Sequence, residues 1–247
     1  MKSLTIPCSS KRWWISFEPA IRNSQNNLLS QEQMVSTRTP DALLRYGLLR
    51  HGKTVWNEQK RIQGRGDSPL TRDGIHTVER WGRQLQTSPD LDWRVIIHSP
   101  QKRARDTAEI LANILEVGTK PVEGLREQNW GKWEGLTLEE ISRDFGEELD
   151  EQIKRGWEFR PPDGESRREV LHRTRTCLVD FGETASPGNV LVISHQGVIK
   201  ALLYDLLNHD YLPAKSAAIH KNRLHHIEYA AGRLFIEKLD IALDSSL

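Results

Sequence analysis

The chain has few cysteines, no long apolar run and no excess of one charge, and each of these shortages removes a class of protein. Only two cysteines occur in 247 residues. Cys8 and Cys177 lie far apart, and neither has a Cys or His neighbour at zinc-ligand spacing. That excludes a disulfide framework and a structural zinc site, and fits a reducing cytoplasm. No segment approaches the roughly eighteen apolar residues of a membrane-spanning helix. Near the N-terminus, Leu4 and Ile6 are cut off from Trp13 to Phe17 by Cys8-Ser9-Ser10-Lys11-Arg12, so no cleaved signal peptide is expected. Lys and Arg number 35 against 34 Asp and Glu, so no global field draws the chain to nucleic acid or an acidic membrane. Any anion binding must be local.

What is present suffices for a core: 37% of the residues are hydrophobic. Residues 1 to 42 stand apart, rich in Ser, Asn and Gln with an isolated Trp13-Trp14 pair, and read as a tail outside the fold. Two further expectations attach to them: Met34 as an alternative start of translation, and the tryptophan pair docking as an added hairpin or on a partner. From Leu43 onward apolar strands alternate with amphipathic helices, the pattern of an α/β domain spanning residues 43 to 247 with a mostly parallel sheet.

Strands are expected at about 45 to 50, at Arg94 to His98, briefly near Lys120 to Val122, and at Asn189 to Ser194, the most apolar. Helices are expected after Thr71, with Ile75, Val78, Gly82 and Leu85 on one face, and after Pro100, with Ala104, Thr107, Ala108, Leu111 and Ile114. Thr137 with Glu140 and Ser166 with Glu169 read as capping boxes. Cys177 falls on the apolar stripe of the second of these helices and reads as core. Residues 128 to 165 look like an inserted lid, and roughly 216 to 239 alternates as edge strands do.

The chemistry gathers where the strands stop. One apolar run ends at Arg50-His51-Gly52, another at His195-Gln196-Gly197, and a third near Ser99, with Arg103 one helical turn later. Strand ends of one sheet share one crevice. Two imidazoles, two guanidiniums and helix N-termini there would make an electropositive pocket suited to a phosphoryl group. Taken singly, an Arg near a helix start reads as a solvated cation and a His after a strand as a structural hydrogen-bonder.

The stretches LLRHGKTVWN (48 to 57), RIQGRGDSPLT (61 to 71), HSPQKRARDTA (98 to 108), LREQNWGKWEG (125 to 135), PDGES (162 to 166) and VISHQGVIKALL (192 to 203) resemble the histidine phosphatase superfamily, also called phosphoglycerate mutase-like. The similarity covers about residues 45 to 239. It implies a three-layer α/β/α fold and a metal-independent reaction without a cofactor. His51 would attack phosphorus and become phosphohistidine. Arg50, Arg103 and His195 would hold the phosphoryl oxygens. Glu127 would be the acid and base, preferred over its neighbours Glu123 and Glu134. Asn57, Gln63, Gly64 and Arg61, with Lys102, are the implied substrate contacts.

His98 and Gln196 depart from the common pattern, and both are candidates to line the pocket. The wording Arg126-Glu127-Gln128-Asn129-Trp130-Gly131 resembles the broad-specificity and α-ribazole phosphate phosphatase branch more than the cofactor-dependent mutases. The resemblance therefore implies a phosphatase acting on a small phosphorylated metabolite. A mutase-type phosphoryl transferase and a non-catalytic phospho-ligand binder are the alternatives. The lid would form the outer wall, with Trp130, Trp133, Trp157, Phe159 and Arg160 offered either to substrate or to lid packing.

Overall fold

The computed structural model describes residues 43 to 88, 92 to 212 and 219 to 243. The expectations made for residues 1 to 42 lie outside the described residues. Six strands among the described residues make one sheet: β1 (Leu44–Arg50), β2 (Trp93–His98), β3 (Gly118–Pro121), β4 (Gly188–Ser194), β5 (Arg223–Ala230) and β6 (Arg233–Ala242). Their spatial order is β3-β2-β4-β1-β5-β6. The neighbours from β3 to β1 run parallel, while β5 is antiparallel to both β1 and β6. The helices are α1 (Val55–Glu58), α2 (Arg72–Gln86), α3 (Lys102–Leu115), α4 (Leu138–Asp144), α5 (Gly146–Lys154), α6 (Arg167–Thr184) and α7 (Gln196–Leu206). No helix among the described residues is long and apolar enough to cross a membrane.

The two-residue period of a strand sorts the central side chains into two layers. Tyr46, Leu48, Val190 and Val192 join Val170, Leu178, Leu202 and Leu203 of α6 and α7 in one core. Leu49, Leu191 and Ile193 join Val78, Trp81, Ala108 and Leu111 of α2 and α3 in the other. The sheet is thus covered on both faces, the three-layer arrangement expected, and its parallel strands are apolar throughout for that reason. Thr71 caps α2, and both capping boxes form as the sequence indicates, at Thr137 for α4 and Ser166 for α6. Such caps contribute about 1 kcal/mol each. Cys177 packs partly buried against the first core, and burial pushes its thiol up to about 12.

One expectation needs correction. Only β6 is an edge. β5 lies between β1 and β6, and its residues Leu224 to Glu228 are all buried. The polar members of its alternation do not face water because they find partners across the strands. His225 Nδ1 accepts from the Asp240 amide at 3.1 Å, and Arg45 of β1 reaches Glu228 at 4.0 Å while also pairing with Glu237 of β6.

Register positions the site. Arg50 pairs with Ser194, and His98 with Ile193, so β1, β4 and β2 end side by side.

Candidate active site

The residue after each strand end inherits that alignment. His51 donates its amide to Ser194 O at 3.0 Å, and Ser99 donates to Ile193 O at 2.9 Å, extending the ladder past the strands. His51 and His195 therefore face each other, ring centroids 5.2 Å apart, and are 2% and 0% exposed. The turn after His51 is tied down from α3. The Gly52 amide donates to Thr107 Oγ1 at 3.0 Å, and that hydroxyl donates to Arg103 O at 2.7 Å.

His51 Nδ1 lies 2.7 Å from Gly52 O. A carbonyl can only accept, so Nδ1 carries the proton and Nε2 the lone pair. Burial first, then the Arg50 and Arg103 guanidiniums, holds this imidazole well below its ordinary range, against a smaller opposing effect of the Gly52 bond. It is a neutral base at physiological pH.

Arg103 is fully buried, and most of its guanidinium is occupied in holding it still. Nη1 donates to Gly66 O at 2.7 Å and Asp67 Oδ1 at 2.9 Å, and Nη2 to Gly64 O at 2.9 Å. Its Nε has no partner. The loop that grips it turns at Gly64, whose φ of +50 favours glycine and where a Cβ would run into the Glu134 carboxylate at 2.1 Å. Glu134 in turn accepts from the amides of Arg65 at 2.7 Å, Gly66 at 3.2 Å and Trp130 at 3.0 Å.

Arg50 Nε is likewise buried and unpartnered. Burial pushes this guanidinium down to about 10, with Glu127 opposing and Arg103 adding to the fall. Buried cations left electrostatically incomplete are expected where an anion is to bind.

The three carboxylates near residue 127 separate cleanly. Glu123 pairs with Arg126 at the surface, and Glu134 holds the Gly64 loop. Glu127 alone points to the cluster. Its carboxylate accepts from the Gln128 amide at 2.9 Å and from Gly197 N at 3.4 Å, in the first turn of α7 directly after His195. A Cβ at Gly197 would stand 2.5 Å from Glu127 Oε1, so glycine there makes room for the carboxylate. The main chain is clamped on both sides, by Gln101 Oε1 accepting from Glu127 N at 2.7 Å and Arg173 donating to Glu127 O at 3.2 Å.

The sequence-derived substrate contacts divide. Asn57 closes a capping box with Thr54, its Oδ1 accepting from Thr54 N at 3.2 Å, which leaves the Nδ2 donor for a ligand. Gln63 is buried with Oε1 unpartnered. Gly64 acts through the carbonyl that holds Arg103, and Arg61 is engaged with Gly135 O at 2.6 Å and Glu140 at 3.1 Å. Lys102 pairs with Asp106 at 2.5 Å. His98 is bonded locally to Ser99 O at 2.8 Å, and Gln196 to Ile219 O at 3.2 Å.

In the lid, Trp133 and Phe159 are core residues packed with Ile141 and offer no stacking surface. The sequence reading missed Ser99, Gln101, Asp67 and Glu134 as supports of the site. The Ser99-Pro100 break before α3 was the one visible signal among them.

A family model, the histidine phosphatase superfamily (branch 1), matches residues 47 to 242. PhoE, an uncharacterized phosphatase of Bacillus subtilis, is 29% identical over 163 residues, covering 66% of this chain and 77% of the relative. The 2,3-bisphosphoglycerate-dependent phosphoglycerate mutase 2 of Gloeobacter violaceus is 31% identical over 164 residues, covering 64% and 74%. The solved structure of Bacillus stearothermophilus YhfR superposes with a TM-score of 0.72 at 27% identity, over 81% of this chain and 98% of that one. The fold brings Arg50, His51, Arg103, Glu127 and His195 together, and the chain belongs to the histidine phosphatase superfamily, branch 1.

Proposed function

We propose that this protein is a phosphomonoester hydrolase that works through a phosphohistidine at His51 on a small phosphorylated metabolite. The observation that carries the reading is the state of His51: Nδ1–H committed to Gly52 O at 2.7 Å, and the imidazole kept neutral by burial and two guanidiniums. Its Nε2 lone pair is the nucleophile. In the first half-reaction Nε2 bonds to phosphorus while the ester P–O bond breaks, and the leaving alkoxide takes the proton of the Glu127 carboxyl. In the second, water attacks phosphorus, Glu127 as carboxylate takes its proton, and the P–N bond breaks to return His51. Arg50, Arg103 and His195 face the charge spread over the equatorial oxygens.

Because guanidiniums supply the positive charge, activity is expected to persist in a metal chelator. The test is hydrolysis of p-nitrophenyl phosphate by the purified chain. Loss of about ten-thousandfold or more in His51→Ala is expected, together with a large fall in Glu127→Gln. Parent-level turnover in Glu127→Gln would remove that residue from the mechanism. Phosphoryl transfer from 2,3-bisphosphoglycerate to monophosphoglycerate exceeding hydrolysis would make the protein a mutase. Phospho-ligand binding without either activity would make it a binder.

A further inference from the structure

The two histidines of the site need opposite things from their neutral rings. His51 must show the phosphoryl group a lone pair. His195, to stabilise oxygens that carry negative charge, must show it an N–H. A neutral imidazole has only one proton, so something must decide which nitrogen of His195 keeps it. We infer that Ser99 is a positioning residue whose hydroxyl fixes His195 in the tautomer protonated on Nδ1, the nitrogen that has no partner in the protein and faces the phosphoryl group.

Ser99 is fully buried at the end of β2, its amide anchored to Ile193 O at 2.9 Å. Its Oγ lies 2.8 Å from His195 Nε2. The same Oγ accepts the Gln101 amide at 3.3 Å and has one further neighbour, Gln101 Oε1, at 3.4 Å. The hydroxyl has one proton and two places to send it.

Gln101 settles the competition, because its own side chain cannot be turned round. Its Oε1 faces an obligate donor, the Glu127 amide at 2.7 Å, and its Nε2 faces an obligate acceptor, Gly64 O at 2.8 Å. Oε1 could accept a second bond, but at 3.4 Å from Ser99 Oγ it is at the limit of one, against 2.8 Å to the imidazole. The proton goes to His195 Nε2. That nitrogen accepts, and Nδ1 carries the ring's own proton.

His195 Nδ1 is buried without a protein partner, an unsatisfied polar atom of the kind that needs an explanation. In the opposite arrangement it would turn a lone pair on an anionic phosphoryl oxygen. Burial first, then the Arg103 and Arg50 guanidiniums, keeps His195 neutral in the free protein, so a second proton does not remove the choice. His51 and His195 thereby hold the same tautomer for opposite ends, since the first offers Nε2 and the second Nδ1.

The catalytic purpose of this device rests on the proposed hydrolase reading; the tautomer does not. Nitrogen-15 NMR of the full chain at pH 7, with His195 assigned through His195→Gln, is expected to show a protonated Nδ1 and a bare Nε2. A protonated Nε2 in the parent overturns the inference without any variant being made. Ser99→Ala is expected to lose the single tautomer, weaken binding of inorganic phosphate about tenfold, and lower kcat for p-nitrophenyl phosphate about a hundredfold. Ser99→Thr, which restores a hydroxyl, is expected to recover all three. Ser99→Ala with the parent tautomer and parent phosphate affinity also overturns it. A parent that shows the Nδ1 tautomer but hydrolyses no phosphomonoester supports the Ser99 assignment and removes the hydrolase reading.

Discussion

The strand-end pocket and the segment from 128 to 165 use charge in opposite ways. In the pocket, Arg50 Nε, Arg103 Nε and His195 Nδ1 are buried and have no partner. In the segment from 128 to 165 several surface charges are paired, Lys132 with Asp163 and Arg143 with Asp144 inside it, Glu140 with Arg61 and Arg160 with Glu169 across its borders. Such solvent-screened surface pairs contribute little, and the segment's own core is Trp133, Ile141 and Phe159. Unpartnered guanidinium and imidazole nitrogens gathered in one place mark where an anion would complete the structure, whereas the unpartnered Trp133 Nε1 of the other segment stands among apolar neighbours.

Exchanging Arg103 for Lys is the strongest way to break this contrast short of removing the nucleophile. A lysine keeps the charge but loses the fork that binds Gly64 O, Gly66 O and Asp67 together. Turnover of p-nitrophenyl phosphate is expected to fall about a hundredfold to a thousandfold. A loss of less than threefold would show that only charge matters there.

Glu134 sharpens the comparison because it belongs to the lid by sequence and to the pocket by contact. Glu134→Gln weakens the two backbone bonds that hold the Gly64 loop under Arg103 and a third that ties the same carboxylate to Trp130 N. A destabilisation of about 1 to 3 kcal/mol and a fall in kcat/KM of roughly tenfold are expected. Unchanged kinetics would return Glu134 to the lid.

Acid separates the regions more gently. His51, His195 and His225 are held below the ordinary imidazole range, chiefly by burial, and His226 is pushed down to about 4. The unfolded chain takes up these protons near pH 6.5 while the native chain refuses them, so stability is full above that pH and falls as pH drops towards the native values. The melting temperature is expected to fall by several degrees between pH 7 and pH 5. The lid contains no histidine. Its carboxylates Glu140 and Asp144 are held low, the first mainly by the Thr137 amide and the second by Arg143, so the lid's share of the loss comes at lower pH. A flat melting profile over that range would contradict the burial of the four histidines.

The pocket was largely legible in the sequence, because an apolar run that stops at a cation, an imidazole and glycine announces both its element and its end. Parallel pairing then aligned Arg50-His51 with Ser194-His195 without further information. What could not be read acts at long range through backbone groups. Gln101 is an unremarkable helix-start residue until Glu127 N and Gly64 O arrive at its two ends. Glu134 looks like a surface carboxylate in a charged loop until the Arg65 and Gly66 amides close on it. The polar alternation of β5 misled for the same reason, since its partners come from β1 and β6. Arg61 was legible as a cation near the site, but its engagement with Gly135 and Glu140 is visible only in three dimensions.

The central claim is that the phosphoryl group passes through His51, and the direct measurement is the covalent intermediate itself. The protein is mixed with p-nitrophenyl phosphate, quenched in alkali to preserve phosphohistidine, digested and mapped by mass spectrometry. The phosphoryl group is expected on the peptide containing His51, with none in His51→Ala. A phosphoryl group on any other residue, or full turnover by His51→Ala, would contradict the account.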